Sequence, residues 1–339
     1  MNHDRGEIPV KDLIKKLTEA FGPSGREEQI REAIREEVEA LADEVRVDTL
    51  GNLIALKKGD GTGKRVMLAA HMDEIGVIVS YVDEKGFLRA QPIGGLDATT
   101  LVGGRVQFAD GAIGVIAPED RQDYKKDADL SKLYIDVGAT SREEARSRLG
   151  EAAAFVRPMA DLGQRIVAKA LDDRIGCVVL VETLRRLERT PHDVYFVFSV
   201  QEEVGLRGAR TGAYAIDPQI GIAVDITAAA DTPEAPKMSM KLGDGPCIKV
   251  MDSGMLAHPG IKNLLIQTAE RHDIPYQLEV LDRGTTDAAA IQLVRSGVPA
   301  GTISLACRYY HTPSEMVDMD DVENSVRLLV ALLEQPIEL

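Results

Sequence analysis

From residue 172 onward the chain alternates short apolar runs with helical segments, and this alternation constrains the fold more than any other feature. Residues 175–187 read as a helix, 194–200 (VYFVFSV) as a strand, and a further helix begins at 208–214. Residues 220–226 form a second strand, 258–272 and 287–295 helices, 300–306 a third strand, and 322–334 a closing amphipathic helix. Such a pattern predicts a mainly parallel sheet covered by helices. The N-terminal end supplies matching parts. Amphipathic helices over 10–44 are broken by FGPSG (21–25), strand signals follow at 44–48 and 53–57, and the apolar run 65–70 (RVMLAA) reads as a buried strand.

Between these two stretches the texture changes. Residues 75–163 carry short β-like segments (GVIVSYV, GFLRAQPI, RVQFA, AIGVIA, LYIDVG) separated by Gly, Asp and Lys turns, the spacing of a small all-β unit. One helix, 141–149, interrupts it, with Ser141 placed as N-cap. A chain of 339 residues exceeds what one typical core handles. We expect a discontinuous α/β domain, residues 1–74 and 164–339, with a β-barrel-like insertion at 75–163.

The polar residues fall in telling places. His71 follows RVMLAA, Glu202 and Glu203 follow VYFVFSV, Asp225 closes GIAV, His311 lies just beyond the strand near 306, and Asp172 and Asp173 precede a helix. In open α/β sheets ligands bind outside the carboxyl ends of the strands, so these side chains are placed to converge. Two imidazoles with three carboxylates suit zinc, cobalt or manganese rather than a soft thiolate site. Two dications bridged by one carboxylate polarise a carbonyl and acidify a trapped water. Asp73, two residues after His71, lies on the same face of an extended segment and reads as the carboxylate behind a metal-bound imidazole. Neighbours on an extended segment point opposite ways, so Glu202 and Glu203 both serve one site only where the loop bends. One then binds metal while the other moves a proton.

Singly, an HxD, an EE or a DD is most often a solvated turn; the joint occurrence is what points to a site. The other histidines read as bland: His192 as a surface loop residue, His258 and His272 as capping or exposed, and His3 as part of a frayed terminus.

The same segments carry a family resemblance. AAHMDEIG (69–76), KALDDRIGC (169–177), SVQEEVGLRGA (199–209), AVDIT (223–227) and RYYHTPSE (308–315) resemble, in order, the signature segments of the glutamyl-aminopeptidase and tetrahedral (TET) aminopeptidase family of dinuclear metallopeptidases. The resemblance implies that His71, Asp172, Glu203, Asp225 and His311 hold two divalent ions, zinc or cobalt first, manganese or nickel as alternatives. It implies Asp172 as the bridging ligand, Glu202 as general base, a cis peptide between Asp172 and Asp173, and short peptides as substrates. It also implies that the insertion helps build dimers into a hollow tetrahedral dodecamer. RGTTDAAA (283–290) departs from the commoner GGTDA, and HTPSE (311–315) from HSPVE; both departures bear on specificity.

Composition excludes several alternatives. Forty basic against 55 acidic residues give a net charge of −15, which disfavours nucleic acid and anionic membranes as partners and with them a two-metal nuclease. No apolar run approaches the roughly 20 residues of a membrane span, and MNHDRGEIPVKDLIKK has no signal-peptide core, so a cytoplasmic protein is expected. Cys177, Cys247 and Cys307 are scattered and read as small apolar residues. The absence of Trp and of a glycosidic acid pair disfavours an endoglucanase. A carboxypeptidase or deacylase needs a cation to hold a carboxylate, for which Arg308 is a candidate by proximity alone. A non-catalytic metal-binding assembly protein leaves Glu202 without a purpose.

Overall fold

The computed structural model describes residues 9–339. Among these, the main sheet has eight strands in the order Glu44–Val47, Leu53–Lys57, Asp193–Ser199, Arg65–His71, Ile220–Ala228, Ala300–Cys307, Cys247–Met251 and Gln277–Val280. The four from Asp193–Ser199 to Ala300–Cys307 run parallel. The flanks turn antiparallel, Leu53–Lys57 against Asp193–Ser199 and Cys247–Met251 against Ala300–Cys307. The α/β class is as expected, with a mixed sheet whose centre is parallel. Central parallel strands are covered on both faces, which is why they read as unbroken apolar runs; Ala300–Cys307 is buried at every position.

One face is covered by the helix Leu171–Arg186, which is buried from Leu171 to Leu184. A helix apolar on all sides belongs inside. It is packed in turn by Val10–Glu19, Glu28–Val38 and Met319–Leu333. These outer helices are amphipathic; the first buries only Leu13, Ile14, Leu17 and Thr18. The other face carries Arg207–Ile216 and Asp287–Gln292.

Between His71 and the helix at Leu171 the chain builds a closed six-stranded barrel, Gly76–Val82, Leu88–Ile93, Leu133–Asp136, Ile113–Pro118, Arg105–Phe108 and Ala152–Phe155 in that order around the ring. It has its own core, including Val77, Val79, Leu88, Val106, Phe108 and Phe155. A small antiparallel sheet follows it, Ala160–Asp161 with Arg165–Ala168 and Glu315–Asp318. That sheet ties the return from the barrel to the segment after His311.

Several elements differ from expectation. The helix at 141–149 is a single turn, Arg142–Ala145, continued by a 3-10 turn; Ser141 Oγ accepts the Glu144 N–H at 3.4 Å. The helix from Asp287 ends at Gln292. Cys247–Met251, Gln277–Val280 and Glu315–Asp318 each bury a charged residue (Lys249, Glu279 and Glu315), and they owe their extended form to pairing with neighbours. His192, expected at the surface, is wholly buried. Its Nδ1 accepts the Lys64 N–H at 3.0 Å and its Nε2 donates to the Gln335 carbonyl at 2.9 Å, so the C-terminal segment closes over it. His258 and His272 are exposed, as expected. His3 and the rest of the first eight residues lie outside the described residues. All three cysteines are free and buried. No helix among the described residues is long and apolar enough to cross a membrane.

Candidate metal centre

The parallel strands deliver their carboxyl ends to one edge of the sheet. His71 ends its strand in register with Ser199, so residues 200–203 emerge beside it. Asp225 lies in the next strand, Ile220–Ala228, and His311 four residues beyond Cys307. Asp172 occupies the first turn of the buried helix. His71, Asp172, Glu202, Glu203, Asp225 and His311 all line one cleft of about 850 Å³.

Asp172 stands between the two imidazoles. Its Oδ1 is 3.0 Å from His71 Nε2 and its Oδ2 is 3.1 Å from His311 Nε2. Each ring is held from behind. His71 Nδ1 faces the Asp73 carbonyl at 3.2 Å and the Asp73 carboxylate at 3.4 Å, and His311 Nδ1 faces the Gly95 carbonyl at 2.9 Å. With Nδ1–H donating to these oxygens, each Nε2 is turned to the centre, where its lone pair would bind a metal that displaces the proton shared with Asp172. Glu202 Oε2 lies 3.8 Å from His71 Nε2, and Glu203 Oε2 lies 3.9 Å from His311 Nε2. Donor atoms of His71, Asp172 and Glu203 lie within 4.8 Å of one another, as do those of His71, Asp173 and Asp225.

A second ring of carboxylates grips the backbone of these residues. Asp73 Oδ1 accepts the Glu202 N–H at 3.0 Å, and its Oδ2 accepts the Glu203 N–H at 3.3 Å and the Ser24 hydroxyl at 2.6 Å. Asp173 Oδ2 accepts the His71 N–H at 3.2 Å and its Oδ1 the Gly176 N–H at 3.0 Å. Glu315 Oε2 accepts the Asp172 N–H at 3.0 Å and its Oε1 the His311 N–H at 3.2 Å. The backbone bends where this demands it. Gln201 (φ 56°), Leu206 (φ 55°) and His311 (φ 121°) occupy the positive-φ region that side chains rarely adopt. The bend at Gln201 turns both Glu202 and Glu203 inward. The Asp172–Asp173 peptide is cis.

Charge at this edge is unbalanced. Seven buried or nearly buried carboxylates (Asp73, Asp172, Asp173, Glu202, Glu203, Asp225, Glu315) surround two imidazoles. Burial, with Asp172 close by, pushes the Glu203 carboxyl up to about 8; burial does the same for Asp225, also to about 8. Burial lowers the His311 pKa, but Asp172 and Glu203 outweigh it and carry it up to about 11. His71 is likewise raised, against its burial, by Glu202, Asp172 and Asp73. Such a cluster calls for added positive charge. Glu203 Oε1 is buried with no hydrogen-bond partner, an orphaned oxygen on a residue that lines the same cleft. Two imidazoles, several carboxylates and an unsatisfied acceptor fit divalent metal ions.

The sequence-predicted residues therefore meet in one place. Arg308 does not join them: its guanidinium forks onto Asp231, with both contacts at 2.7 Å. Sequence reasoning missed Glu315, although HTPSE contains it, and missed the Gly95 carbonyl, which brings the barrel segment into the site. It also missed Lys249, a buried residue of the cleft wall whose ammonium sits 2.9 Å from Glu279 and 3.2 Å from Asp252. Neither a carbonyl nor a buried salt bridge leaves a mark in a sequence read alone.

An α/β sheet whose carboxyl edge gathers imidazoles and excess buried carboxylate beneath an open cleft defines a metal-dependent hydrolase. The profile of the M42 glutamyl aminopeptidases matches residues 51–328. The chain belongs to that family: it is a metal-dependent aminopeptidase, a hydrolase of peptide bonds. It is 50% identical to an Acetivibrio thermocellus protein named as a candidate aminopeptidase, over 96% of this chain and 98% of that one. The structure of aminopeptidase APDkam598 from the archaeon Desulfurococcus kamchatkensis matches with a TM-score of 0.93 and 43% identity, covering 97% of this chain and 95% of that one. The Pyrococcus horikoshii TET1 peptidase, which can assemble into a tetrahedron or a large octahedral shell, matches with a TM-score of 0.85 and 33% identity over 96% and 100% of the two chains.

Proposed function

We propose that the chain releases N-terminal residues from short peptides with two divalent ions, held by His71, Asp172, Glu203, Asp225 and His311, and with Glu202 as general base. The observation that carries this is the placement of Asp172, one oxygen toward each imidazole, as a bridging carboxylate requires. His71 and Asp225 complete one side, and Glu203 and His311 the other. When bound, the ions supply Lewis-acid polarisation of the scissile carbonyl and acidify a water. Glu202, in the cleft wall and held at its amide by Asp73, accepts the proton from the attacking water and returns it to the leaving amine. Asp73 keeps the His71 ring oriented.

A carboxypeptidase or acidic-amide reading must draw its cation from Lys237 or Arg283, which line the cleft, and not from Arg308 or Lys249. Arg308 is committed to Asp231, and the ammonium of Lys249 is committed to Glu279 and Asp252. We further propose that residues 1–74 and 164–339 act as the catalytic domain and that 75–163 serve assembly, dimers building a dodecameric shell; the likeness to a shell-forming peptidase supports this.

The test uses chelator-stripped enzyme, with and without cobalt or zinc, on aminoacyl-p-nitroanilides of Glu, Asp, Lys, Arg and Leu. Metal-restored release supports the reading; silence with no metal bound removes it. Glu202→Gln is expected to keep both ions and lose most turnover, and full activity in a metal-replete sample takes Glu202 out of its role.

A further inference from the structure

We propose that Ser24 is a positioning residue for the reaction, its hydroxyl fixing the Asp73 carboxylate that in turn fixes the amides of Glu202 and Glu203. This rests on the role given above to Glu202. Ser24 comes from the FGPSG break between the first two helices, a segment that supplies nothing else to the cleft. Its position is set by the main chain. Ser24 N–H donates to the Glu74 carbonyl at 3.3 Å, Glu74 N–H donates to the Gly22 carbonyl at 3.1 Å, and Pro23 bridges Glu74 as a strand partner. The Glu74 carboxylate closes the clip by accepting the Gly22 N–H at 3.1 Å. Gly22 has no room for a side chain, since a Cβ would stand 2.5 Å from Ile30 Cγ2, so the turn has little freedom to shift.

From this clip the Ser24 hydroxyl donates to Asp73 Oδ2 at 2.6 Å, the shortest contact that carboxylate makes. A hydroxyl on an ionised carboxylate is a strong, short bond. Asp73 must present one oxygen to each of two consecutive amides, and a carboxylate meets that demand at only one rotation about Cβ–Cγ. The bonds to Glu202 and Glu203 are longer, 3.0 and 3.3 Å, so the hydroxyl is the contact that selects the rotation. Releasing it lets the Glu202–Glu203 segment drift by a fraction of an ångström. Drift on that scale lowers the rate of a positioned proton transfer while leaving substrate contacts alone.

The test compares metal-loaded wild type with Ser24→Ala, Ser24→Thr and Glu202→Gln. Four quantities are measured for each: kcat, KM, ions per chain by elemental analysis, and the melting temperature. Ser24→Ala is expected to lose about tenfold in kcat, with KM, metal content and melting unchanged, and Ser24→Thr, which keeps the hydroxyl, to restore most of it. Wild-type kcat in Ser24→Ala overturns the inference, and so does a loss explained by missing metal or lowered melting, or one that Thr fails to rescue. If Glu202→Gln itself turns over normally, the role of Glu202 falls, and this inference with it. An inactive Glu202→Gln beside a fully active Ser24→Ala removes Ser24 alone.

Discussion

Glu315 is wholly engaged with two backbone amides, those of Asp172 and His311, which we place around the same ion. Glu315→Gln keeps the shape and replaces one oxygen with an NH2 group. Whichever way the new amide lies, one of the two N–H groups loses its acceptor and meets a donor. A hydrogen bond to a charged group is worth about 1.5–3 kcal/mol, and a buried donor left unpaired costs a similar amount. At 1.4 kcal/mol per tenfold, that is ~10–150-fold in an equilibrium constant. The loss should fall most on the ion given to His311, with a smaller effect on the other through the bridging Asp172. Partners behind metal ligands typically contribute about 10–100-fold in affinity, so the two scales agree. The assay is equilibrium dialysis of the metal-free protein against buffered zinc, counting ions per chain, with melting of the metal-free forms as control. We expect zinc loading to move to higher concentration, one of the two steps more than the other. A variant that loads both ions at wild-type zinc concentrations, with its fold intact, refutes the reasoning.

Other outcomes follow from the same geometry. His192 is held neutral in the fold, its pKa lowered by burial, so below the ordinary histidine range the unfolded chain binds a proton that the native one refuses. Stability therefore falls as pH drops from about 7 toward 5, and His192→Gln should show a shallower loss when melting is followed across that window. Gly176→Ala drives a Cβ to 2.3 Å from Asp173 Oδ1 and should cost about 1–3 kcal/mol by overpacking; denaturant midpoints matching wild type would contradict this. The Lys249 ammonium is saturated by two carboxylates, whereas the exposed Arg283 of the same cleft pairs only with its neighbour Asp282 at 3.4 Å, so any preference for glutamyl or aspartyl over leucyl substrates should be lost in Arg283→Ala. A preference for acidic residues that survives Arg283→Ala would show that another cation serves the pocket.

The centre was legible because polar side chains at the ends of apolar strands stand out, and a parallel sheet brings such ends together whatever their separation in the chain. Glu202 and Glu203 follow a strongly apolar strand, and the bend they need exists at Gln201. What sequence did not disclose acts through the main chain. Glu315, Asp173 and the Gly95 carbonyl reach the Asp172 amide, the His71 amide and the His311 ring across 102 to 216 residues, leaving no spacing to read. Arg308 stood close to His311 in the chain, yet it reaches Asp231 instead of the cleft. His192 beside Pro191 resembles any surface turn until the Gln335 carbonyl closes over it.

The order of strands has a consequence for the life of the nascent chain. Arg65–His71 is flanked in the sheet by Asp193–Ser199 and Ile220–Ala228, and the whole barrel is threaded between His71 and Asp172. His311 and its anchor Glu315 arrive last, with only the closing helix and tail behind them. A ribosome-bound fragment that lacks them has half a centre. If His311 holds an ion as proposed, a fragment that stops short of it cannot complete the centre, and hydrolysis would require this late segment to dock.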